Sequence, residues 1–174
     1  MVRHIRVVPH DPHWAALYQE EAARLAALLA DEFVASYHIG STAIPGISAK
    51  PIIDILVEVR DIGRVDALDS RFMAMGYLPK GENGLPGRRL FIKGSEEERS
   101  HHVHIYQAGN PAVRRHLAFR DYMIAHPAAA QAYSRLKEEL ARRFPQDAGG
   151  YVAGKDEFVR EMERRALAWW EEAR

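Results

Sequence analysis

The sequence predicts an α+β (mixed α/β) protein: a mixed sheet packed by helices, with a helical C-terminal part over about 111–174. Three observations lead there. Short β-branched or aromatic runs bounded by Gly and Pro recur at 32–39, 51–59, 88–93 and 101–108, as strands do. An apolar stripe at helical spacing opens the chain, and beyond Pro111 the periodicity is helical.

Each element has its local reason. In "DPHWAALYQEEAARLAALLA", Asp11 reads as an N-cap and Pro12 as the first helical position, while Trp14, Leu17, Tyr18, Leu25, Leu28 and Leu29 share one face. "EFVASYHI" and "PIIDILVEV" read as strands joined by the loop "GSTAIPGISAK". Asp61 is placed to cap a helix running to about Met75, with Gly76 closing it. "RRLFIK" and "HHVHIYQA" are the next strands, flanked by "KGENGLPG" and "GSEEERS". Pro111 and Pro127 each open a helix, and Pro145 with "DAGG" is expected to break the chain before a last helix from about Asp156.

Length and composition narrow the function classes. With 174 residues and 47% hydrophobic content the chain can core one domain, expected to span 1–174. Its 24 basic and 24 acidic residues balance, so overall charge draws it neither to nucleic acid nor to an anionic membrane. The absence of cysteine excludes disulfides, thiolate metal sites and cysteine nucleophiles, and accords with a reducing compartment. No stretch approaches the roughly 20 apolar residues of a membrane span, so a soluble cytoplasmic protein is expected.

Chemistry concentrates at two places. Asp54 stands alone in an aliphatic strand, on the face that alternation gives to Ile52, Leu56 and Glu58. An ionised carboxylate there costs several kcal/mol unless something answers it. The candidates are the Gly40 and Ser41 amides, Lys50, a metal ion or an arginine of "GRRLF". His102 and His104, two apart in a strand, point to one face together, away from His101 and Val103. One Asp with two His suits Zn, Mn, Fe or Ni, whereas Mg prefers oxygen ligands.

Two resemblances give these residues roles. The Gly-Ser turn before an acid-bearing strand resembles the nucleotidyltransferase superfamily signature, in which the turn holds triphosphate and Asp-hydrophobic-Asp binds metal. Superposed on the turn, the first acid falls on Ile52 and the second on Asp54, so one acid is missing. The stretches "VPHDPHW", "HIGSTAIPGISAKPIIDILV", "GLPGRRLF", "HVHIY", "HLAFRDYMIAHP", "AYSRLKEELA" and "YVAGKDEFV" are similar to the GrpB family, small proteins of this fold also found fused to dephospho-CoA kinase.

That resemblance implies Asp54 and His104 as catalytic residues and Asp54, His102 and His104 as ligands for a divalent metal (Mn, Zn or Mg). It implies His38, Gly40, Ser41, Thr42, Lys50, Arg89, Arg120, Tyr133, Lys137, Tyr151 and Lys155 as the binding surface for a nucleotide or other phosphorylated small molecule. Alternation sends Arg88 and Arg89 to opposite faces, so at most one reaches Asp54. Arginine suits bidentate phosphate capture and lysine supplies a point charge. Three functions stay open: a nucleotidyltransferase-like enzyme, a binding module that lost the acid chemistry, and a scaffold. "HVHIY" also resembles the opening of a His-x-His-x-His nucleotide hydrolase motif, with Tyr106 in the third place. No Walker loop, dinucleotide fingerprint or nucleophile elbow occurs.

Overall fold

A computed structural model describes residues 5–95 and 97–173. Helix α1 (Trp14–Leu29) precedes strand β1 (Phe33–Ile39), and a single helical turn at Ser41–Ala43 leads toward β2 (Ile53–Val59). Then come α2 (Asp69–Ala74), β3 (Tyr77–Pro79), β4 (Arg89–Gly94) and β5 (Arg99–Gln107). Helices α3 (Pro111–Ala125), α4 (Pro127–Arg143) and α5 (Ala148–Glu172) complete the described chain. The architecture is the expected α+β one, with three of the helices gathered after the sheet.

The five described strands lie in the order β1-β2-β5-β4-β3. Among them only β2 and β5 run parallel, and their register sets Asp54 beside His102 and Leu56 beside His104. Because helices cover both faces of the interior strand β2, its aliphatics are shielded on both sides, which is why the strand reads as an almost continuous apolar run. One face carries Ile53, Ile55, Val57, Val103 and Ile105 against Trp14, Leu25 and Leu29 of α1 and Phe72 of α2. The opposite face buries Ile39, Leu56 and Tyr106 under Val113 of α3, while α3, α4 and α5 share a separate apolar cluster around Ile44, Ile47, Met123 and Tyr133.

Four boundaries differ from the sequence reading, each for a local reason. The first helix starts at Trp14, because the Asp11 carboxylate accepts from the His13 amide in a preceding turn. Asp61 does act as a cap, accepting from Gly63 N at 2.9 Å, but Ile62–Leu68 is 3₁₀-helical and leaves α2 only six residues. Strand β3 carries no strand signal in the sequence: it has three residues, one of them Pro79, on the sheet edge where proline is tolerated.

The last helix begins at Ala148, well before Asp156. Asp147 caps it by accepting from Gly150 N at 2.9 Å. Its glycines serve close packing rather than a break: a Cβ on Gly154 would meet Leu140 Cδ2 at 2.5 Å, and one on Gly150 would meet the Phe144 ring at 2.7 Å. Among the described residues no helix is long and apolar enough to cross a membrane.

Candidate functional site

The lone acid of β2 finds its partners on β5. Asp54 Oδ1 lies 3.1 Å from His104 Nε2 and 3.6 Å from His102 Nδ1. Burial alone would raise the Asp54 carboxyl, but the two imidazoles draw it well below the usual carboxylate range. The group is therefore an anion at any working pH.

Its second oxygen explains Gly40. This glycine has φ +74°, and a Cβ there would come 2.6 Å from Asp54 Oδ2. Only a residue without a side chain lets the β1–β2 turn close over the carboxylate. Thr42, in that turn, hydrogen-bonds His38 Nε2 at 2.9 Å, and the His38 ring stacks on Tyr18 at 5.0 Å. Burial lowers the His38 pKa to about 4, so it holds the turn as a neutral ring. His38 thus supports the site from the α1 face, since its register partner Ile55 belongs to that core.

Asp54 and Arg88 together favour one tautomer of His104. Its Nη1 faces His104 Nδ1 at 3.5 Å, while Nε and Nη2 donate to the carbonyls of Glu82 and Asn83. A guanidinium can only donate, so Nδ1 is the lone-pair nitrogen and Nε2 carries the proton that Asp54 accepts. Of the two adjacent arginines, Arg88 is buried on the histidine face. Arg89, expected to bind ligand, projects to the other side and forms a bidentate pair with Asp66 at 2.7 and 3.4 Å. Strand alternation foretells that they part, but not which of them turns inward.

A cavity of about 220 Å³ opens beside Asp54, lined also by Ser41, Thr42, Lys50, His102, Lys137, Tyr151 and Lys155. Most of the expected binding residues meet here. The Lys50 and Lys155 ammoniums lie 4.9 and 5.4 Å from the centre of the Tyr151 ring, and that of Lys137 lies 4.4 Å from the centre of Tyr133. Lys137 is 2% exposed and donates to the Ser48 carbonyl. Burial, then Lys155 and Lys50, push its pKa down to about 7. Two buried polar atoms on the lining residues lack a protein partner: His102 Nε2 and the Tyr151 hydroxyl.

Arg120 does not line the cavity. It ties α3 to β1 by donating to the His38 carbonyl at 3.2 Å, and pairs with Asp121. His116 of α3 is not singled out by the sequence, yet its ring centre lies 5.8 Å from that of His104. Burial, then His104 and Arg115, lower its pKa to about 3. Nothing in the spacing of residues 102 to 116 signals the contact, which depends on α3 folding back over β5.

One ligand atom each from Asp54, His102 and His104 lies within 4.8 Å of the others. This one-oxygen, two-nitrogen set does not fit a pair of Mg ions, which would require more carboxylates. It fits a single borderline ion once the His104 proton moves off Nε2.

Sheet and cleft together define an α+β protein with a cationic hollow set between its sheet and its helical layer. Residues 4–165 match the family described as GrpB protein, and the chain belongs to that family. It is 47% identical to the UPF0157 protein YqkA of Bacillus subtilis over 96% of this chain, spanning about half (48%) of that relative. A protein named dephospho-CoA kinase from Mycolicibacterium paratuberculosis is 30% identical over 95% of this chain and 46% of its own length. Among solved structures, GrpB from Enterococcus faecalis superposes with a TM-score of 0.91 at 43% identity, over 95% of this chain and 99% of that one. A remote likeness, of fold alone, reaches the Cid1 poly(U) polymerase, at a TM-score of 0.46 and 10% identity over 75% of this chain and 43% of that one.

Proposed function

We propose that the cleft binds a phosphorylated small molecule, a nucleotide among the candidates, with its phosphate at the lysines and a hydroxyl or metal-bound group at Asp54. One observation carries this reading. Three lysines converge on a cavity whose lining also holds an imidazole nitrogen and a phenol lacking protein partners. Clustered ammoniums repel one another, and burying one of them is costly; a dianion relieves both terms. Asp54 also lines the hollow, where a held anion accepts a hydrogen bond from a ligand hydroxyl better than it tolerates a second anion. The relative named dephospho-CoA kinase adds CoA precursors to the panel worth testing.

A second reading, that Asp54, His102 and His104 hold a divalent ion, is favoured by the convergence of their ligand atoms within 4.8 Å. These side chains suit Zn or Mn better than Mg. A bound ion would polarise a phosphoryl oxygen there.

Thermal-shift and calorimetric titration with pyrophosphate, nucleotides and dephospho-CoA test the proposal, each with and without Mn or Zn. Stabilisation that disappears in Lys155→Met supports it, and metal-dependent stabilisation lost in Asp54→Ala supports the second reading. Indifference to every phosphate compound removes the first.

A further inference from the structure

A second hollow of about 200 Å³ adjoins the first and shares Lys155 with it. It begins at Gly40, beside the Asp54 carboxylate, and runs between α3, α4 and α5. Its chemistry differs from that of its neighbour. Phe119, Tyr133, Val152 and Val159 supply apolar walls, where the first cavity is ringed by lysines. Tyr133 is held rigid, with Phe119 edge-on at 5.8 Å and Phe158 stacked at 5.7 Å. It also forms the boundary between the hollows, since Lys137 of the first lies over its ring.

The polar groups are Arg115, His116, Lys155, Asp156 and Glu163, set around those apolar walls. Arg115 and Glu163 face each other at 3.8 Å, too far for a hydrogen bond, so each retains capacity for another partner. Burial raises the Glu163 carboxyl despite Arg115. His116, also on this wall, is a neutral imidazole with its pKa lowered to about 3. An inorganic phosphate would have no use for such walls, and a flexible polar chain would leave them wet. Apolar walls with donors and acceptors grouped at their edge are the pattern of a site for a flat ring with polar edges.

We propose that this chamber holds an aromatic ring of the ligand whose phosphate occupies the lysine cavity, so that the substrate class is a phosphorylated heteroaromatic molecule. The inference rests on the phosphate reading above and sharpens it. A ring in the chamber and a phosphate by Lys155 place the connecting segment beside Gly40, within reach of the Asp54 carboxylate. The geometry therefore lets the Asp54 carboxylate accept a hydrogen bond from a hydroxyl of the linker.

The test compares ribose 5-phosphate with adenosine and uridine 5′-monophosphate by calorimetry, on the full chain. The expected result is that at least one nucleotide binds ten times or more tightly than ribose 5-phosphate, about 1.4 kcal/mol. Val159→Trp fills the chamber and removes that advantage while leaving ribose 5-phosphate affinity unchanged. Val152 is half exposed at the chamber wall, so Val152→Trp makes the same test with little risk to folding. Equal affinities for sugar phosphate and nucleotides, or an advantage that survives both tryptophans, overturn the ring site and leave the phosphate site standing. Failure of all three compounds, with pyrophosphate also inert, overturns both.

Discussion

The two faces of the sheet each set a carboxylate beside histidines of β5, Glu21 fully buried and Asp54 partly exposed, and they use it differently. On the α1 face Glu21 is 1% exposed and is answered completely: Tyr77 donates at 2.7 Å, Lys93 at 2.6 Å and Arg24 at 3.3 Å, with His101 at 3.9 Å. On the other face Asp54 meets His102 and His104 but borders a hollow with unpartnered polar atoms and crowded lysines. A buried charge whose partners are all protein groups fixes a fold. One that borders a hollow with a cluster of lysines is where we propose a ligand binds.

The largest effect expected from this contrast is on the closed face. Glu21→Ala strands Lys93 and the Tyr77 hydroxyl without their acceptor, and should cost about 3–5 kcal/mol of folding stability, as removal of one partner from a buried ion pair does. Chemical denaturation measures it, and pyrophosphate affinity of the folded fraction should stay as it was. A mild loss of stability, or a loss of affinity without one, would erase the distinction between the faces.

Gly40→Ala comes next, because it strains the backbone and strikes Asp54 at once. With φ +74° and ψ −174°, a region essentially reserved for glycine, the new side chain costs about 1–3 kcal/mol in conformation, and its Cβ must push Oδ2 back from 2.6 Å. Stability should fall by about 2 kcal/mol, with ligand response lost even at temperatures where the variant is fully folded. A stable Gly40→Ala protein with intact binding would mean that the turn does not define the site.

How much of this is legible in the sequence depends on the range of the forces involved. Strand faces are a local property, so alternation pairs His102 with His104 and puts Asp54 on one side of β2. The prolines at 111 and 127 open their helices as local rules require. Legibility ends where a contact depends on distant elements. The glycines of "DAGG" look like a break, because the Phe144 ring that Gly150 makes room for lies beyond the end of α4. Arg88 and Arg89 cannot be told apart, since the choice rests on the register of β4 with β5. The second hollow is invisible because its walls come from three helices.

Lys137 tests the open face through pH. Its pKa is about 7 folded against an ordinary 10.5, with Lys155, Lys50 and Glu138 as its charged neighbours. Between these values the unfolded chain holds a proton that the folded chain releases, so stability should rise with pH across that window. Lys137→Met should flatten the rise and stabilise the protein at pH 7 by about 1 kcal/mol, while pyrophosphate affinity drops at least tenfold. A destabilised Lys137→Met protein would show that the lysine serves the fold after all.

The smallest effect belongs to Arg89, and its value lies in the comparison with its neighbour. The Arg89 pair with Asp66 is well formed, but Asp66 is 57% exposed, so water competes for it. Such pairs contribute about 0–1 kcal/mol, and Arg89→Ala should shift the unfolding midpoint little and leave affinity alone. Arg88→Met, one residue away, removes the donor that faces His104 Nδ1, and ¹⁵N chemical shifts should show the His104 proton no longer confined to Nε2. If Arg89→Ala instead weakens phosphate binding, the anion reaches around the sheet edge and the cleft is larger than the hollow beside Asp54. If Arg88→Met leaves the tautomer in place, Asp54 alone fixes it, and the arginine holds only the carbonyls of the 82–83 loop.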